Sequence, residues 1–222
     1  MGYVRSHFTR ILRRFRNRWR TWWWRGRWRG RRTRMNLSFL KAYALEKRIP
    51  IITDEALALI KEQIIKHHVK EVLEIGTAIG YSALAIASFG CHVDTFERDE
   101  FMIEEANKHF DRYDEHHQIT LFPFDALTYV LPLKSYDLIF IDAAKSQYQT
   151  FFKKFTPYLK VGGLVICDNL NFHHLDPAKV NRHTQALLRK LEVFKRFLAD
   201  QPDFQTDFFD LGDGTSLSVR IK

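Results

Sequence analysis

Apolar segments alternate with amphipathic segments along the chain from about residue 37 to its end. The apolar segments show no polar alternation, which is typical of strands buried on both faces of a parallel sheet. Between them, apolar residues recur every three or four positions, which indicates helices. The predicted strands are 71–75, 91–96, 119–122, 136–141 and 164–167.

The predicted helices cover both faces of this sheet, because strands and helices alternate. The second helix has a clear start, since Thr53 is a favourable N-cap and two acidic residues follow it. Two final strands, 204–210 and 216–221, are joined by a glycine-containing hairpin turn at 212–214, which predicts an antiparallel end to the sheet. The predicted helices are 37–46, the segment after Thr53, 81–88, 101–109, 147–159 and about 177–199.

Charge divides the chain near Met35. Residues 1–34 contain 13 arginines, all five tryptophans and no acidic residue, a charge of +13, whereas the other 188 residues carry 22 basic and 26 acidic groups, a charge of −4. Such a tract cannot build a hydrophobic core, so we predict a disordered or spurious extension at 1–34 and one folded domain at 35–222.

Four interpretations of residues 1–34 remain open. An RNA-binding arm would use arginines on phosphates and tryptophans on bases. A membrane-surface segment and a mitochondrial transit peptide share the cationic character, although the tract is poor in serine and dense in tryptophan. We favour a coding start placed too far upstream, with Met35 as the initiator, and then the RNA-binding arm.

Cysteine usage and hydropathy predict a cytoplasmic protein. Cys91 and Cys167 are 76 positions apart, both in or beside predicted strands, which is neither a disulfide framework nor a metal-binding spacing. No apolar run approaches the roughly 18 residues of a membrane-spanning helix, so we expect no membrane association of the domain.

Acidic and amide side chains follow two predicted strands. Asp142 ends one strand, and Asp168 and Asn169 end the next. Carboxyl ends of neighbouring parallel strands line the ligand crevice of an open α/β sheet. Because Mg²⁺ prefers oxygen ligands of this kind, we predict a Mg²⁺ site.

A glycine-containing loop follows the first strand. Glu74, Gly76 and Ser82 belong to a Gly-x-x-x-Gly segment that opens a helix, and its glycines allow a ligand to approach the backbone closely. The segment matches neither the dinucleotide fingerprint nor the phosphate loop, and no Lys or Arg lies near it in sequence. Glu97 could bind ribose hydroxyls and Asp125, with Ala126 beside it, an adenine edge. A nucleoside cofactor without phosphate indicates S-adenosylmethionine.

These stretches together resemble the cation-dependent class I O-methyltransferases, and within them the bacterial tRNA 5-hydroxyuridine methyltransferases. The resemblance covers residues 37–222 and implies a Rossmann-like class I methyltransferase fold, a homodimer, S-adenosylmethionine and Mg²⁺. Two departures are the segment 170–174, Leu-Asn-Phe-His-His, and the family's usual N-terminal helix, which is missing. The matching stretches are 49–52, 72–83, 96–98, 140–145, 167–169 and 212–214.

The resemblance also assigns site residues. It implies that Asp142, Asp168 and Asn169 bind Mg²⁺. Lys145, three residues after Asp142, is the candidate to take the acceptor proton or stabilise an oxyanion, and Asp142 is its catalytic partner. Around S-adenosylmethionine the resemblance places Ile52, Ser82, Glu97, Asp125, Ala126 and Asp142.

The resemblance implies that the acceptor is tRNA, with 5-hydroxyuridine at the wobble position becoming 5-methoxyuridine. Arg182, Arg189 and Arg196 recur every seven residues on one predicted helix, a possible phosphate track or simply a solvated face. A small catechol-like phenol is the alternative acceptor. A non-catalytic module that only binds S-adenosylmethionine is a third interpretation, which the intact metal-binding set disfavours.

Overall fold

The computed structural model describes residues 37–130, 133–171 and 179–222. Residues 1–34 and the predicted boundary at Met35 lie outside these ranges, so that division stays a prediction. The helices α1 to α6 are Ser38–Lys47, Asp54–Lys66, Tyr81–Ser88, Glu100–Tyr113, Tyr148–Phe155 and Arg182–Ala199. The strands β1 to β7 are Glu71–Ile75, His92–Glu97, Ile119–Pro123, Tyr136–Ile141, Leu159–Cys167, Phe204–Phe209 and Thr215–Arg220.

All seven strands form one sheet in the order β3-β2-β1-β4-β5-β7-β6. The first five in this order pair in parallel, whereas β7 is antiparallel to β5 and to β6. The predicted mostly parallel sheet with an antiparallel C-terminal strand is therefore confirmed. β7 lies inside the sheet, and β6, which is only partly buried, forms its edge.

The strand at the centre of the sheet explains the apolar runs. In β4, Leu138 and Phe140 belong to one hydrophobic cluster, and Ile139 and Ile141 belong to another. Successive strand residues point to opposite faces, so two clusters mean that both faces are covered. Each such side chain contributes about 1.5–3 kcal/mol when fully buried. This double burial makes the end of β4 a rigid support for a site.

Local capping decides where several helices begin. The Thr53 hydroxyl accepts a hydrogen bond from the backbone N–H of Ala56 at 3.2 Å, which confirms the predicted cap of α2. Asn181 caps α6 in the same way, through the N–H of Thr184 at 2.9 Å. The polar cap at Asn181 begins the α-helix at Arg182, so residues 179–181 do not belong to it, and the predicted start near residue 177 lies outside the described residues.

Most other boundaries differ from prediction by at most one residue, α4 ends at Tyr113 and not at 109, and two elements differ more. Strand β5 begins at Leu159, not at 164, since residues 160–163 continue the strand through Gly162 and Gly163 with a register shift against β4. The predicted helix 147–159 is a 3₁₀ turn, the helix α5 and a second 3₁₀ turn at Thr156–Tyr158, where Pro157 lies. Within the ranges that the structure describes, no helix is both long and apolar enough to cross a membrane.

Candidate active site

Gly76 joins two strand ends at the carboxyl edge of the sheet. It has φ +105°, and a Cβ built on it would lie 2.1 Å from the carbonyl oxygen of Asp142. The N–H of Asp142 donates to the carbonyl of Ile75 at 3.0 Å just beside this contact. The sequence predicted close approach to a ligand, whereas the close neighbour in the structure is the chain's own backbone. The glycine therefore sets the distance between the ends of β1 and β4.

A cavity of about 330 Å³ opens above these strand ends. It brings together residues from the loops after β1, β2, β3 and β4, as expected for an open α/β sheet. Lys145 also lines it. The predicted cofactor residues that line it are Ile52, Gly76, Ser82, Glu97, Asp125, Ala126 and Asp142.

Glu74 is the exception among the predicted cofactor residues. It is 0% exposed and is not among the residues that line the cavity. One carboxylate oxygen accepts a hydrogen bond from the hydroxyl of Thr95 at 2.5 Å. Burial raises the pKa of Glu74 to about 7. The structure thus places Glu74 beneath the cavity floor.

The carboxylate of Glu97 is oriented by backbone amides. One oxygen accepts from the N–H of Ala78 at 2.9 Å, and the other accepts from the N–H groups of Arg98 and Asp99 at 2.8 and 2.9 Å. Three donors from two different loops hold the group at the cavity wall. A fixed acceptor at this strand end can receive hydroxyl donors from a ligand.

Asp125, which follows the neighbouring strand β3, is held in its ionised form. Its carboxylate accepts from the N–H of Leu127 at 2.8 Å and from the guanidinium of Arg98 at 2.9 Å. The backbone hydrogen bond from Leu127, and then Arg98, lower the pKa of Asp125. Although no cation lies near the glycine loop in sequence, the fold therefore brings Arg98 to the cavity, where Asp125 compensates its charge.

The predicted metal ligands meet where β4 and β5 end side by side. The Asn169 amide lies 3.1 Å from a carboxylate oxygen of Asp142. Asp168 is 1% exposed, and the hydroxyl of Thr215 donates to its carboxylate at 2.9 Å. The phenol of Tyr148 donates to the Asp168 carbonyl at 2.9 Å, which fixes the backbone of this strand end. The three predicted ligands therefore lie close together at one edge of the sheet.

Electrostatics at this strand end favour a cation. Burial, and then the charge of Asp168, raise the pKa of Asp142 to about 6, while Lys145 opposes the shift. Burial also raises the pKa of Asp168. In the described ranges no group of three or more His, Cys, Asp or Glu side chains could hold a metal ion, so the set depends on the Asn169 amide. Two carboxylates and an amide oxygen fit Mg²⁺.

The chain after Asn169 is tied to the C-terminal hairpin. Leu170 and Asn171 donate backbone hydrogen bonds to the carbonyls of Gly214 and Asp213 at 2.8 and 2.6 Å. The Asn171 side chain accepts from the ammonium of Lys195 at 2.9 Å, and donates to the Asp210 carboxylate, also at 2.9 Å. The first two residues of the departure at 170–174 thus have an anchoring role, and residues 172–174 lie outside the described ranges.

Arg182, Arg189 and Arg196 do not belong to the cavity wall. All three are exposed on α6. Within residues 37–130, 133–171 and 179–222 they form no ion pair. The structure therefore leaves them as an exposed basic surface separate from the candidate site.

Three residues that support the site were not among the predicted site residues. Arg98 lies one position after a recognised strand end, Thr215 follows the hairpin turn, and Tyr148 begins a helix. Each acts on a residue more than 19 positions away in the chain. Contacts between residues so far apart in the chain depend on the order of the strands in the sheet. Of these three residues, only Thr215 lay next to a predicted feature of the C-terminal strands, the closing hairpin turn.

Comparison with known proteins gives one consistent result. The sequence pattern that defines the family described as "O-methyltransferase" matches residues 53–221. The caffeoyl-CoA O-methyltransferase of Eucalyptus gunnii is 30% identical over 172 residues, which are 69% of this chain and 67% of that protein. The tapetum-specific methyltransferase 1 of Arabidopsis thaliana is 28% identical over 164 residues, covering 68% and 70%.

Solved structures share the fold. A Staphylococcus aureus protein provisionally assigned as a caffeoyl-CoA O-methyltransferase superposes with a TM-score of 0.76 and 36% identity, over 83% of this chain and 91% of that one. An O-methyltransferase from Bacillus cereus, solved with S-adenosylhomocysteine, superposes with a TM-score of 0.71 at 20% identity, covering 83% and 90%. At 20% identity, the similarity to the Bacillus cereus structure shows only that the two proteins share a fold.

Proposed function

This chain belongs to the O-methyltransferase family, and we propose that it transfers the methyl group of S-adenosylmethionine to a hydroxyl oxygen with the help of Mg²⁺. The acceptor we propose is 5-hydroxyuridine at the wobble position of tRNA. The observation that carries the proposal is the meeting of Asp142, Asp168 and Asn169 beside a cavity walled by Glu97 and Asp125. A nucleoside-sized cavity and a cation site at one sheet edge suit this reaction.

The methyl donor would bind across the strand ends. The Glu97 carboxylate, oriented by three backbone N–H groups, would accept hydrogen bonds from ribose hydroxyls. Asp125 and Ala126 would contact the adenine. Ser82 lies in the first turn of α3, whose N-terminus faces the cavity through Gly76 and the residues that follow it. This arrangement supports a donor that carries no phosphate.

The acceptor side would lie next to Lys145. A Mg²⁺ ion bound there would supply Lewis-acid chemistry that lowers the pKa of an acceptor hydroxyl. Asp142, Asp168 and Asn169 would hold that ion, with Thr215 and Tyr148 keeping Asp168 in place. The side chain of Lys145 would stabilise the developing oxyanion as an ammonium group or, as a neutral amine, take the acceptor proton.

Two acceptors are supported by different observations. The exposed arginines of α6, on a domain whose sequence carries −4, support a tRNA phosphate backbone. The caffeoyl-CoA O-methyltransferases among the relatives support a small catechol-like phenol as the second candidate. A module that binds the donor without turnover is the third, and a catalytic assay separates it from both.

The deciding experiment is an assay with labelled S-adenosylmethionine and Mg²⁺. tRNA bearing 5-hydroxyuridine and a catechol are offered separately, with and without EDTA. We expect methylation of the tRNA and its loss in EDTA. Methylation of the catechol alone would replace the proposed acceptor, and donor binding with neither product would indicate the non-catalytic module.

Substitutions test the cation site in the same assay. Asp168→Ala should abolish transfer and leave binding of S-adenosylhomocysteine intact, because Asp168 is not among the cavity-lining residues. Asp111→Ala, an exposed position on α4, is the matched control and should behave like the parent. Full activity of the Asp168 variant, or of the parent in EDTA, would rule out the metal role.

A charge reversal tests the tRNA surface. Arg189→Glu should lower tRNA methylation at physiological salt and leave catechol methylation, if any, unchanged, since it removes a phosphate contact outside the cavity. Lys66→Glu, exposed in the last turn of α2, reverses the same charge elsewhere. Equal losses in the two variants would mean a general charge effect and no specific tRNA track.

A further inference from the structure

The ammonium group of one lysine donates hydrogen bonds to three backbone carbonyls beside the cavity. Nζ of Lys154 donates to the carbonyl oxygens of Ala126, Leu127 and Tyr129 at 2.6, 2.7 and 2.7 Å. An ammonium group has three N–H donors, so every one of them is used on this single turn. These are charge-assisted hydrogen bonds, which are shorter and stronger than neutral ones.

The turn that Lys154 binds is wound like the end of a helix. The N–H groups of Thr128 and Tyr129 both donate to the Asp125 carbonyl at 3.1 Å. Successive carbonyls of such a turn point in one direction and have no partner further along the chain. Their partial negative charges add together, and a cation placed there is favourable. Lys154 occupies that place.

The same turn forms part of the cavity wall. Asp125 and Ala126 line the cavity, and so does Phe151, which lies on α5 one turn before Lys154. Lys154 is only partly exposed, and burial lowers its pKa while the charge of Asp125 opposes that shift. The ammonium group of Lys154 therefore forms its hydrogen bonds with the turn and not with solvent.

The neighbouring lysine has none of these features. Lys153 is exposed, and its ammonium lies 5.2 Å from the ring centroid of Phe197. The two lysines are adjacent on α5, carry the same charge and differ in what they contact. Lys153 is thus a matched control for Lys154.

We propose that Lys154 is a positioning residue for the methyl donor: it holds the turn 125–129 in the shape that places Asp125 and Ala126 against the adenine. The inference rests on the proposed function only as far as donor binding, and it is independent of the acceptor. Without the ammonium, three carbonyls lose their partner, and the turn has to rearrange towards water. Donor affinity then falls, while the chemical step is unaffected.

The test compares Lys154→Met with Lys153→Met, since methionine keeps a straight apolar side chain and removes the charge. Calorimetry with S-adenosylhomocysteine should show about tenfold weaker binding for Lys154→Met, the equivalent of about 1.4 kcal/mol, and binding within twofold of the parent for Lys153→Met. Steady-state kinetics should show a raised KM for S-adenosylmethionine with an unchanged kcat. Lys154→Arg, which keeps charge and donors, should recover most of the affinity.

Each result has a distinct meaning. Lys154→Met binding within twofold of the parent, or Lys153→Met losing as much, would overturn the inference and leave the proposed function standing. Absence of S-adenosylhomocysteine binding by the unaltered chain would overturn the proposed function as well. If Lys154→Met does not fold, Lys154→Gln, which retains two donors without charge, decides by the same criteria.

Discussion

Replacing Glu74 by glutamine should stabilise the protein above neutral pH. Glu74 lies in β1 with 0% of its surface exposed. Among the described residues one carboxylate oxygen has no hydrogen-bond partner, and the other accepts from Thr95 at 2.5 Å. Burial raises the pKa of Glu74 from 4.5 to about 7; the hydroxyls of Ser82 and Thr95 oppose this shift, and the charges of Asp142 and Glu97 add to it. The buried carboxyl therefore prefers its neutral form.

The size and sign of the effect follow from this pKa. In the folded protein Glu74 keeps its proton up to about pH 7, whereas in the unfolded chain it loses the proton near pH 4.5. The unfolded state thus binds fewer protons between these values, and stability falls as pH rises through that window. The full difference corresponds to about 3 kcal/mol. Glutamine is neutral at every pH and should avoid this loss.

Urea unfolding at pH 5 and pH 8, without ligand, measures the effect. We expect Glu74→Gln to match the parent within about 1 kcal/mol at pH 5 and to exceed it by up to about 3 kcal/mol at pH 8. Glu62→Gln, an exposed position on α2, should leave the difference between the two pH values unchanged. S-adenosylhomocysteine affinity should stay within twofold, because Glu74 is not among the cavity-lining residues. A Glu74→Gln variant less stable than the parent at pH 8 would refute the reasoning.

Gly76→Ala should lower the free energy of unfolding by more than about 3 kcal/mol or prevent folding, since its Cβ would lie 2.1 Å from the Asp142 carbonyl oxygen. Gly90→Ala should lower it by only about 1–2 kcal/mol, because Gly90 has φ +91° but no atom within 4 Å of the added Cβ. Urea unfolding compares them, and equal costs would contradict the backbone contact. Asn171→Leu should raise the Mg²⁺ concentration needed for activity about tenfold, because Asn171 ties the chain after Asn169 to Lys195. A Mg²⁺ titration checks this, and an unchanged midpoint would remove Asn171 from the support of the site.

Local sequence patterns predicted much of the fold. The bounds of β1, α3 and β4 agree with prediction, because each has an apolar pattern of one period bounded by a polar or glycine residue. The Thr53 cap was readable from three consecutive residues. Where the pattern was ambiguous, prediction failed. Gly162 and Gly163 are typical of a turn, yet they lie within β5, where the pairing with β4 passes from Leu159 to Leu164 and the glycines belong to an irregular, bulged part of the strand.

The candidate site was readable where its residues end strands. Asp142, Asp168 and Asn169 could be placed together from sequence, because neighbouring parallel strands end at one edge. For Gly76, close approach of a ligand stays a prediction, and the structure adds the contact with the Asp142 backbone. Residues that act from a distance, such as Lys154, carried no signal. Which of two adjacent lysines faces the turn at 125–129 depends on how α5 packs.

By itself the sequence determined the class of fold, the strand ends that carry acidic groups and the abrupt change of charge near residue 35, since these follow from short-range periodicity and composition. Only the tertiary structure decided that Glu74 lies beneath the cavity, that Arg98 compensates Asp125, and that Lys154 gathers three carbonyls. Burial, and contacts between residues distant in sequence, exist only once the sheet has formed. A chemical group's protonation and partners are therefore properties of the packed molecule, whereas its secondary structure is largely a property of its neighbours in the chain.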